Sequence, residues 1–440
     1  MLPTANIVIL LAYTLATFAG LRLFWRYKRV NPVFWFIGFQ WLMATGTFAL
    51  ADFTQRADRF YAFLFFVALG SYVATAWYFW TVFGMGRVCR QFWNKPIKLD
   101  TPPAHWGAWA VLIVSVLVTT AYYRAVGGNI LLNLLSGTKI DDYSSARLAT
   151  YSGDTYFAPG YVNQFKNVLL PLTVSIVAGW AWLRRSRLAL YTVVVLGGGG
   201  ATLALLGTGQ RAYLMFAYAA LLFGVSSVKS LKLRSIAIPS LGVFVLFAFL
   251  TSFYQARNLE NADNPITALV LKSFERFFVV EQTGALGAFR YLYTQESVYF
   301  SEWADQIRGV IPGMHGSTLQ HDLFALVHGT DRGTEAYAIL AGFYYNGGVV
   351  AVPACFGLLA VAHGLLYRRF LLGKRTIYRS FTYAALFLYL SIFVSGGLDT
   401  LINNGVLTFI LFLLVKKAMQ LVASPRTSSP APHGMAPHSS

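Results

Sequence analysis

An arginine that follows a glycine-containing turn is the sharpest chemical feature of this sequence. The segment Gly207-Thr208-Gly209-Gln210-Arg211 separates two apolar stretches and comes shortly after the glycine run 197–200. Glycine permits a tight turn and a close approach of the backbone. Arg211 is therefore expected at the edge of an apolar region, where a retained charge marks a functional site by default. The simpler alternative is an arginine that only bounds a helix end.

Carboxylates, an arginine and tyrosines lie together in the segment near 125–165. Tyrosine rings stack on the C–H faces of sugars, and carboxylates accept hydrogen bonds from sugar hydroxyls, so this mixture suits glycan binding. The alternative is an aromatic belt at headgroup depth, which is common in membrane proteins. The residues concerned are Asp141, Asp142, Arg147 and Asp154, with Tyr143, Tyr151, Tyr156, Phe157 and Tyr161.

A second polar segment, near 255–337, is rich in arginine and holds three histidines. Its middle is apolar but interrupted by charges, which predicts short helices that lie in the membrane interface or re-enter the bundle. There is no HExxH-type pattern, and with only two cysteines in the chain we predict no metal or cofactor. The residues that can bind anions or move protons are Arg276, Arg290, Arg308, Arg332, His315, His321, His328 and Glu335.

The composition indicates which elements position these residues. Of the 440 residues, 56% are hydrophobic and 12% are charged, whereas soluble domains are about 25% charged. The chain is therefore predicted to be an all-α polytopic integral membrane protein with about 11 (10–14) transmembrane helices. A spanning helix needs roughly 20 mainly apolar residues. The predicted spans are 5–24, 32–51, 60–85, 107–124, 166–183, 188–208, 212–228, 236–254, 338–366, 381–398 and 402–422.

The segments between these spans fall into two sets by charge. One set holds 22 of the 35 basic residues and one acid, and the other holds 13 basic residues and 16 acids. The positive-inside rule assigns the first set to the cytoplasm, which puts the N-terminus and both polar segments outside and the C-terminus inside. The net charge of +18 then belongs to the cytoplasmic face, and no nucleic-acid partner is predicted. Residues 1–423 form the transmembrane domain, and 424–440 a disordered cytoplasmic tail.

Missing motifs narrow the chemistry further. No GxxxxGK[ST] phosphate loop is present, and no Asp-x-Asp pair of the kind that many nucleotide-sugar transferases use. The outer compartment supplies neither ATP nor nucleotide sugars. An enzyme that works on glycans there needs a pre-activated donor carried on a lipid.

The order of these motifs resembles the Wzy-type oligosaccharide repeat-unit (O-antigen or exopolysaccharide) polymerases of bacterial inner membranes. The resemblance covers roughly residues 125–355. It rests on Tyr143-x3-Arg147 in the first loop, on the turn that ends at Arg211, on Gly333-Thr334-Glu335, and on the following helix with Gly342-Phe343-Tyr344-Tyr345-Asn346-Gly347-Gly348.

This resemblance implies a GT-C-like glycosyltransferase that passes a glycan from undecaprenyl pyrophosphate to another lipid-linked repeat unit. Arginine forks onto phosphate and stays charged, so it can replace a metal on the leaving group. The base stays open among Asp141, Asp142, Asp154, Glu335, His315 and His321. The implied partners are the lipid-linked oligosaccharide, membrane lipids and a chain-length regulator. Catalytic roles are assigned to Arg211, Arg147, Glu335 and Asp142, and substrate binding to Arg276, Arg290, Arg308, Arg332, His321, Tyr143 and Tyr151.

Two alternative functions remain at this point. An O-antigen ligase uses the same donor but transfers the glycan to lipid A core. A lipid-linked-sugar flippase or polysaccharide exporter makes no new bond, and it requires cationic residues along many helices. The inner halves of the predicted spans are almost uncharged, which disfavours the transporter.

Overall fold

The computed structural model describes most of the chain and leaves out several connecting segments. It describes residues 3–27, 30–100, 102–136, 161–208, 212–229, 264–275, 281–309, 314–329 and 337–392. It also describes single positions at 279, 311 and 335 and short pieces within 237–248 and 398–417. Throughout these residues the regular elements are helices, and no strand is present. The all-α prediction is confirmed for this part of the chain.

Within the residues that the structure describes, seven helices are long and apolar enough to cross a membrane. They are α1 Thr4–Phe24, α2 Pro32–Leu50, α3 Arg56–Val82, α5 Pro102–Val126, α7 Val162–Leu183, α8 Arg187–Leu206 and α14 Ile339–Leu372. Each one matches a predicted span. Large apolar side chains on them face outward, for example Leu15 at 71% and Leu117 at 63% exposed. Hydrocarbon must cover such surfaces, so this is a membrane-embedded protein.

Shorter helices complete the described elements. They are α4 Met85–Trp93, α6 Ile130–Leu135, α9 Ala212–Val228, α10 Pro265–Glu275, α11 Glu281–Leu292, α12 Ser301–Gly309, α13 Leu319–His328 and α15 Ile377–Ile392. The predicted span 212–228 corresponds to α9, and 381–398 begins earlier, as α15. The predicted spans 236–254 and 402–422 lie mostly outside the described residues, as does the tail 424–440.

Two helix groups form the core. In the first, α1, α2, α3 and α14 surround an aromatic cluster that includes Tyr13, Phe36 and Phe65. Helix α14 packs along α3, and Gly364 allows this because it lies against the ring of Phe79 with no room for a Cβ atom. In the second group, α5, α7, α9 and α15 pack together. Small residues let membrane helices approach closely where no water drives their association.

The two ends of the bundle hold different sets of charged residues. At one end, Arg375 donates to the backbone oxygens of Val228 at 2.6 Å and Lys95 at 3.1 Å. At the other end of α3, Asp58 binds Arg290 from the long segment between α9 and α14. The first end therefore holds Lys95 and Arg375, which both belong to the basic set that the positive-inside rule assigns to the cytoplasm. Which end faces the cytoplasm stays a prediction.

Candidate functional site

The structure describes some of the predicted site residues and omits others. Glu335, Arg290, Arg308, His315 and His321 are described. The remainder lie outside the described residues, so their roles stay predictions. These are Arg211, Arg147, Asp141, Asp142, Asp154, Tyr143, Tyr151, Arg276 and Arg332.

Arg290 is held by a carboxylate at the start of a membrane span. Its Nε lies 2.8 Å from Oδ1 of Asp58, and its Nη2 lies 2.6 Å from Oδ2. The Asp58 side chain is fully buried, and the backbone N–H of Asp52 also donates to it at 2.7 Å. The hydrogen bonds to Asp58 raise the pKa of Arg290, and burial acts in the opposite direction. This two-point contact fastens α11 to α3 and occupies one edge of the guanidinium.

Glu302 of α12 is the centre of a buried hydrogen-bond network. The residue is 7% exposed. Its Oε1 accepts from Gln306 Nε2, from the Tyr337 hydroxyl at 3.1 Å and from the Ser317 hydroxyl at 3.1 Å. Its Oε2 accepts from Nδ2 of Asn346 in α14 at 2.9 Å. With four donors around it, the carboxylate is satisfied, and it joins three parts of the long segment to a membrane helix.

Helix α14 is interrupted next to this network. Gly347 and Gly348 have non-helical backbone angles, and Gly348 (φ 66°, ψ −163°) lies in a region that is essentially restricted to glycine. The carbonyl oxygens before the break are used by the long segment: Val298 N–H donates to Tyr345 O at 3.0 Å, and Phe300 N–H to Asn346 O at 2.8 Å. The break in α14 is thus part of the contact between this helix and the long segment that precedes it.

Aromatic residues surround the break. The rings of Tyr293 and Tyr344 are nearly parallel, with centroids 6.4 Å apart, and Phe60 packs against both. Tyr299 and Phe300 both have positive φ angles, and the Tyr299 side chain is 85% exposed. Non-glycine residues with positive φ cost free energy and are often retained at functional sites. The arrangement presents aromatic surface beside an irregular piece of membrane helix.

The other described candidates lie on the same segment. The Glu335 carboxylate sits directly over Gly284 of α11, where no Cβ atom would fit, and its backbone N–H donates to Gln320 O at 2.9 Å. Arg308 is exposed and pairs with Asp305 at 3.0 Å. His321 is exposed on α13. The structure thus packs Glu335 against the helix that carries Arg290, while Arg308 lies on a separate helix with its own partner.

The turn before Arg211 begins with a close contact, as predicted for its first glycine. Gly207 lies against the side chains of Asn129 and Tyr123, which leave no space for a Cβ atom. The same two side chains bind the last turn of α8, because Asn129 Nδ2 donates to Leu203 O at 3.0 Å and the Tyr123 hydroxyl donates to Ala204 O. The end of α8 is therefore fixed to the residues that follow α5.

Lys166 is a buried cation that the sequence interpretation did not single out. It lies in a π-helical turn, Phe165–Leu169, within α7, and it is 1% exposed. Its Nζ donates to Asn167 Oδ1 at 2.7 Å and lies 5.3 Å from the ring centroid of Tyr122. Among the described residues, Lys166 has no carboxylate within ion-pair distance. One signal in the sequence could have identified it: Lys166 begins a predicted span at its outer end, which is against the positive-inside trend.

Metal ligands do not converge in the part of the chain that the structure covers. No group of three His, Cys, Asp or Glu side chains there is arranged to hold a metal ion. Metal independence of the activity stays a prediction. In comparisons with known proteins, no family model, no curated protein and no solved structure matches this chain. The assignment of a function therefore depends on the geometry alone.

Proposed function

We propose that this protein is a metal-independent glycosyltransferase that polymerises lipid-linked oligosaccharide repeat units at the periplasmic face of a bacterial inner membrane. The growing glycan comes from undecaprenyl pyrophosphate and passes to the sugar of another lipid-linked unit. In this proposal the N-terminus is periplasmic, the C-terminus is cytoplasmic, and the bundle is GT-C-like.

The observation that carries the proposal is the break in α14 beneath the long segment. Residues 349–372 alone extend about 36 Å at 1.5 Å per residue, enough to cross the roughly 30 Å hydrocarbon layer. The break at Gly347 and Gly348 therefore falls at a membrane boundary. Irregular backbone at such a depth is tolerated where protein buries it or where it lines a cavity, and membrane proteins that handle polar substrates use such breaks as binding sites.

The side chains near the break suit a glycan. The exposed Tyr299 offers a ring face for sugar C–H groups, and Tyr293 and Tyr344 form a partly buried aromatic stack in the same segment and helix. The Glu335 carboxylate belongs to the same packed segment and is one of the candidate bases. Arg290 stabilises the segment through Asp58, so in this proposal it orders the site and reaches a substrate only with its remaining donors.

The proposed reaction balances without a cofactor. A hydroxyl oxygen of the acceptor sugar attacks the anomeric carbon of the donor glycan, and the bond from that carbon to the pyrophosphate oxygen breaks. The hydroxyl proton passes to a base, for which the candidates are Asp141, Asp142, Asp154, Glu335, His315 and His321. Undecaprenyl pyrophosphate leaves with its negative charge stabilised by Arg211 and Arg147.

Reconstitution tests the proposal directly. The purified chain in proteoliposomes, given undecaprenyl-pyrophosphate-linked repeat units, is expected to produce glycans that differ in mass by whole repeat units. This ladder is expected to persist in EDTA. Transfer that needs added lipid A core would indicate the ligase. Movement of units across the bilayer without a new glycosidic bond would indicate the flippase, and either result would refute the polymerase.

A further inference from the structure

A buried cationic position lies apart from the broken helix, where three helices meet. The π-helical turn of α7 that carries Lys166 packs against α5 and against α8. Helix α5 contributes Tyr122, whose ring faces the ammonium group. Lys166 comes four residues after Val162, where the span α7 begins, or about 6 Å along its axis. That depth is close to the level of lipid headgroups.

The ammonium group of Lys166 retains unused hydrogen-bonding capacity. It has three N–H donors and no acceptor. Within the described residues it has one hydrogen bond, to Asn167, and one ring contact, to Tyr122. Removing an ammonium from water costs free energy, and an anion or further acceptors would offset that cost. The side chain is 1% exposed, so it does not reach water in the way that surface lysines do.

A second buried donor occurs at the end of α8. Thr208 is 2% exposed, and its hydroxyl has no hydrogen-bond partner within the described part of the chain. It follows Gly207, whose oxygen accepts from Ile130 N–H at 2.8 Å. The contacts of Asn129 and Tyr123 with the end of α8 therefore hold the Thr208 backbone in place. Two buried donors with unused hydrogen-bonding capacity, one of them charged, thus lie on α7 and at the end of α8, two helices that pack against each other.

From these observations we propose that Lys166 and Thr208 form a binding site for the phosphate of a membrane lipid. Phosphate oxygens accept several hydrogen bonds and carry the negative charge that an unpaired ammonium requires. Under the proposed function, on which this identification rests, the ligand is the diphosphate of the undecaprenyl-linked donor; a phospholipid headgroup has the same chemistry.

The test compares lipid binding by the full chain and by matched variants. Dissociation constants for undecaprenyl diphosphate and for phosphatidylglycerol are measured by native mass spectrometry in detergent. Lys166→Met keeps the length of the side chain and removes its charge. Lys229→Met is the control, because Lys229 also lies over a ring, Trp182 at 5.9 Å, but is exposed at the other end of α7 and α9. Thr208→Val provides an independent variant that leaves the charge in place.

Loss of a charge-assisted contact is expected to weaken binding of undecaprenyl diphosphate by about tenfold or more in Lys166→Met. Thr208→Val is expected to have a smaller effect in the same direction, and Lys229→Met to match the wild type. Equal, Lys166-dependent binding of phosphatidylglycerol would keep the site and identify its ligand as a general lipid phosphate. Wild-type affinity for both lipids in Lys166→Met and Thr208→Val would overturn the site.

The outcomes separate this inference from the proposed function. If the wild-type chain elongates glycans and Lys166→Met does so with unchanged affinity for its donor, only the phosphate site is wrong. If the wild-type chain binds undecaprenyl diphosphate through Lys166 but forms no glycosidic bond, the site stands and the polymerase is wrong. Should Lys166→Met fail to fold, the Thr208→Val affinity decides, since that variant keeps the buried ammonium and its ring contact.

Discussion

Two buried charged residues of this protein differ in how many hydrogen-bond partners surround them. The Glu302 carboxylate is surrounded by four donors, which come from α12, from the loop that follows it, from Tyr337 just before α14 and from α14 itself. The Lys166 ammonium has one side-chain acceptor and one aromatic ring within the described residues. A fully satisfied charge makes a rigid joint, whereas an incompletely satisfied one has capacity for a ligand.

The comparison distinguishes a charged residue that stabilises the structure from one that can bind a ligand. Glu302 fastens the long segment to the broken helix, and its donors leave little capacity for a substrate. Lys166 lies on a span whose π-helical turn packs between two other helices, and π-helical turns are frequent at functional sites. Burial of a charge alone does not distinguish the two roles; the number of its partners does.

The largest effect is expected for Arg211→Ala, which tests the ligand-binding role that the comparison gives to incompletely satisfied charges. Loss of a contact to the developing charge of the leaving group typically raises the barrier by about 2.7–4 kcal/mol, or roughly 10²–10³ in rate. We expect elongation in proteoliposomes to fall by that factor at normal protein level. Arg187→Ala, an exposed position at the opposite end of α8, is the control. Full elongation by Arg211→Ala would reduce that arginine to a helix-boundary residue.

Glu302→Ala tests the other member of the comparison, the carboxylate whose hydrogen bonds are satisfied. It removes the acceptor that Asn346, Tyr337 and Gln306 share and leaves these buried groups with fewer hydrogen bonds, and such losses add to about 3 kcal/mol of unfolding free energy. The thermal midpoint in detergent should fall, and the long segment should become sensitive to protease. Glu296→Ala, at an exposed position nearby, should match the wild type. An unchanged midpoint in Glu302→Ala would mean that the network contributes no net stability.

Gly348→Ala is expected to have a somewhat smaller effect at the same joint. Its backbone angles are available almost only to glycine, and other residues there cost of order 1–3 kcal/mol. Gly38→Ala on α2, where a Cβ atom meets nothing within 4 Å, is the control and should not lower the midpoint. A Gly348→Ala protein as stable as the wild type would show that α14 can straighten without loss.

The smallest effect concerns an exposed carboxylate with local partners. Hydrogen bonds from Thr54 and Gln55 lower the pKa of Asp52. A lowered folded-state pKa stabilises the protein above the ordinary aspartate pKa of about 3.9, and that stability is lost as the pH falls through the lowered value. The midpoint of Asp52→Asn should therefore differ from the wild type slightly at pH 7, and the difference should shrink as the pH falls below the ordinary aspartate pKa of about 3.9. A difference that grows on acidification would have the wrong sign.

Hydropathy predicted the spans well because each one is a local property of about 20 residues. It did not reveal the break in α14, since the apolar pattern runs through Gly347 and Gly348 without interruption. Backbone angles there depend on contacts with Val298 and Phe300, which lie some fifty residues earlier in the chain.

The partners of charged residues were harder to predict than the residues themselves. Arg290 was identified from its type and its loop, but Asp58 is 232 positions away and fell just outside the predicted span 60–85. Glu302 has no local motif, and its donors come from separate elements. Lys166 was counted among the basic residues of the outer side, and its burial depends on how α5 and α8 pack around it.

The contact between Arg290 and Asp58 also has a topological consequence. Both residues lie at one end of α3, so the chain must cross the membrane an even number of times between them. The helices α3, α5, α7, α8 and α9 account for five crossings, and the bond from Arg375 to Val228 O places the end of α9 on the far side. This parity favours a further crossing between α9 and α10, and the span 236–254, which hydropathy places there, stays a prediction.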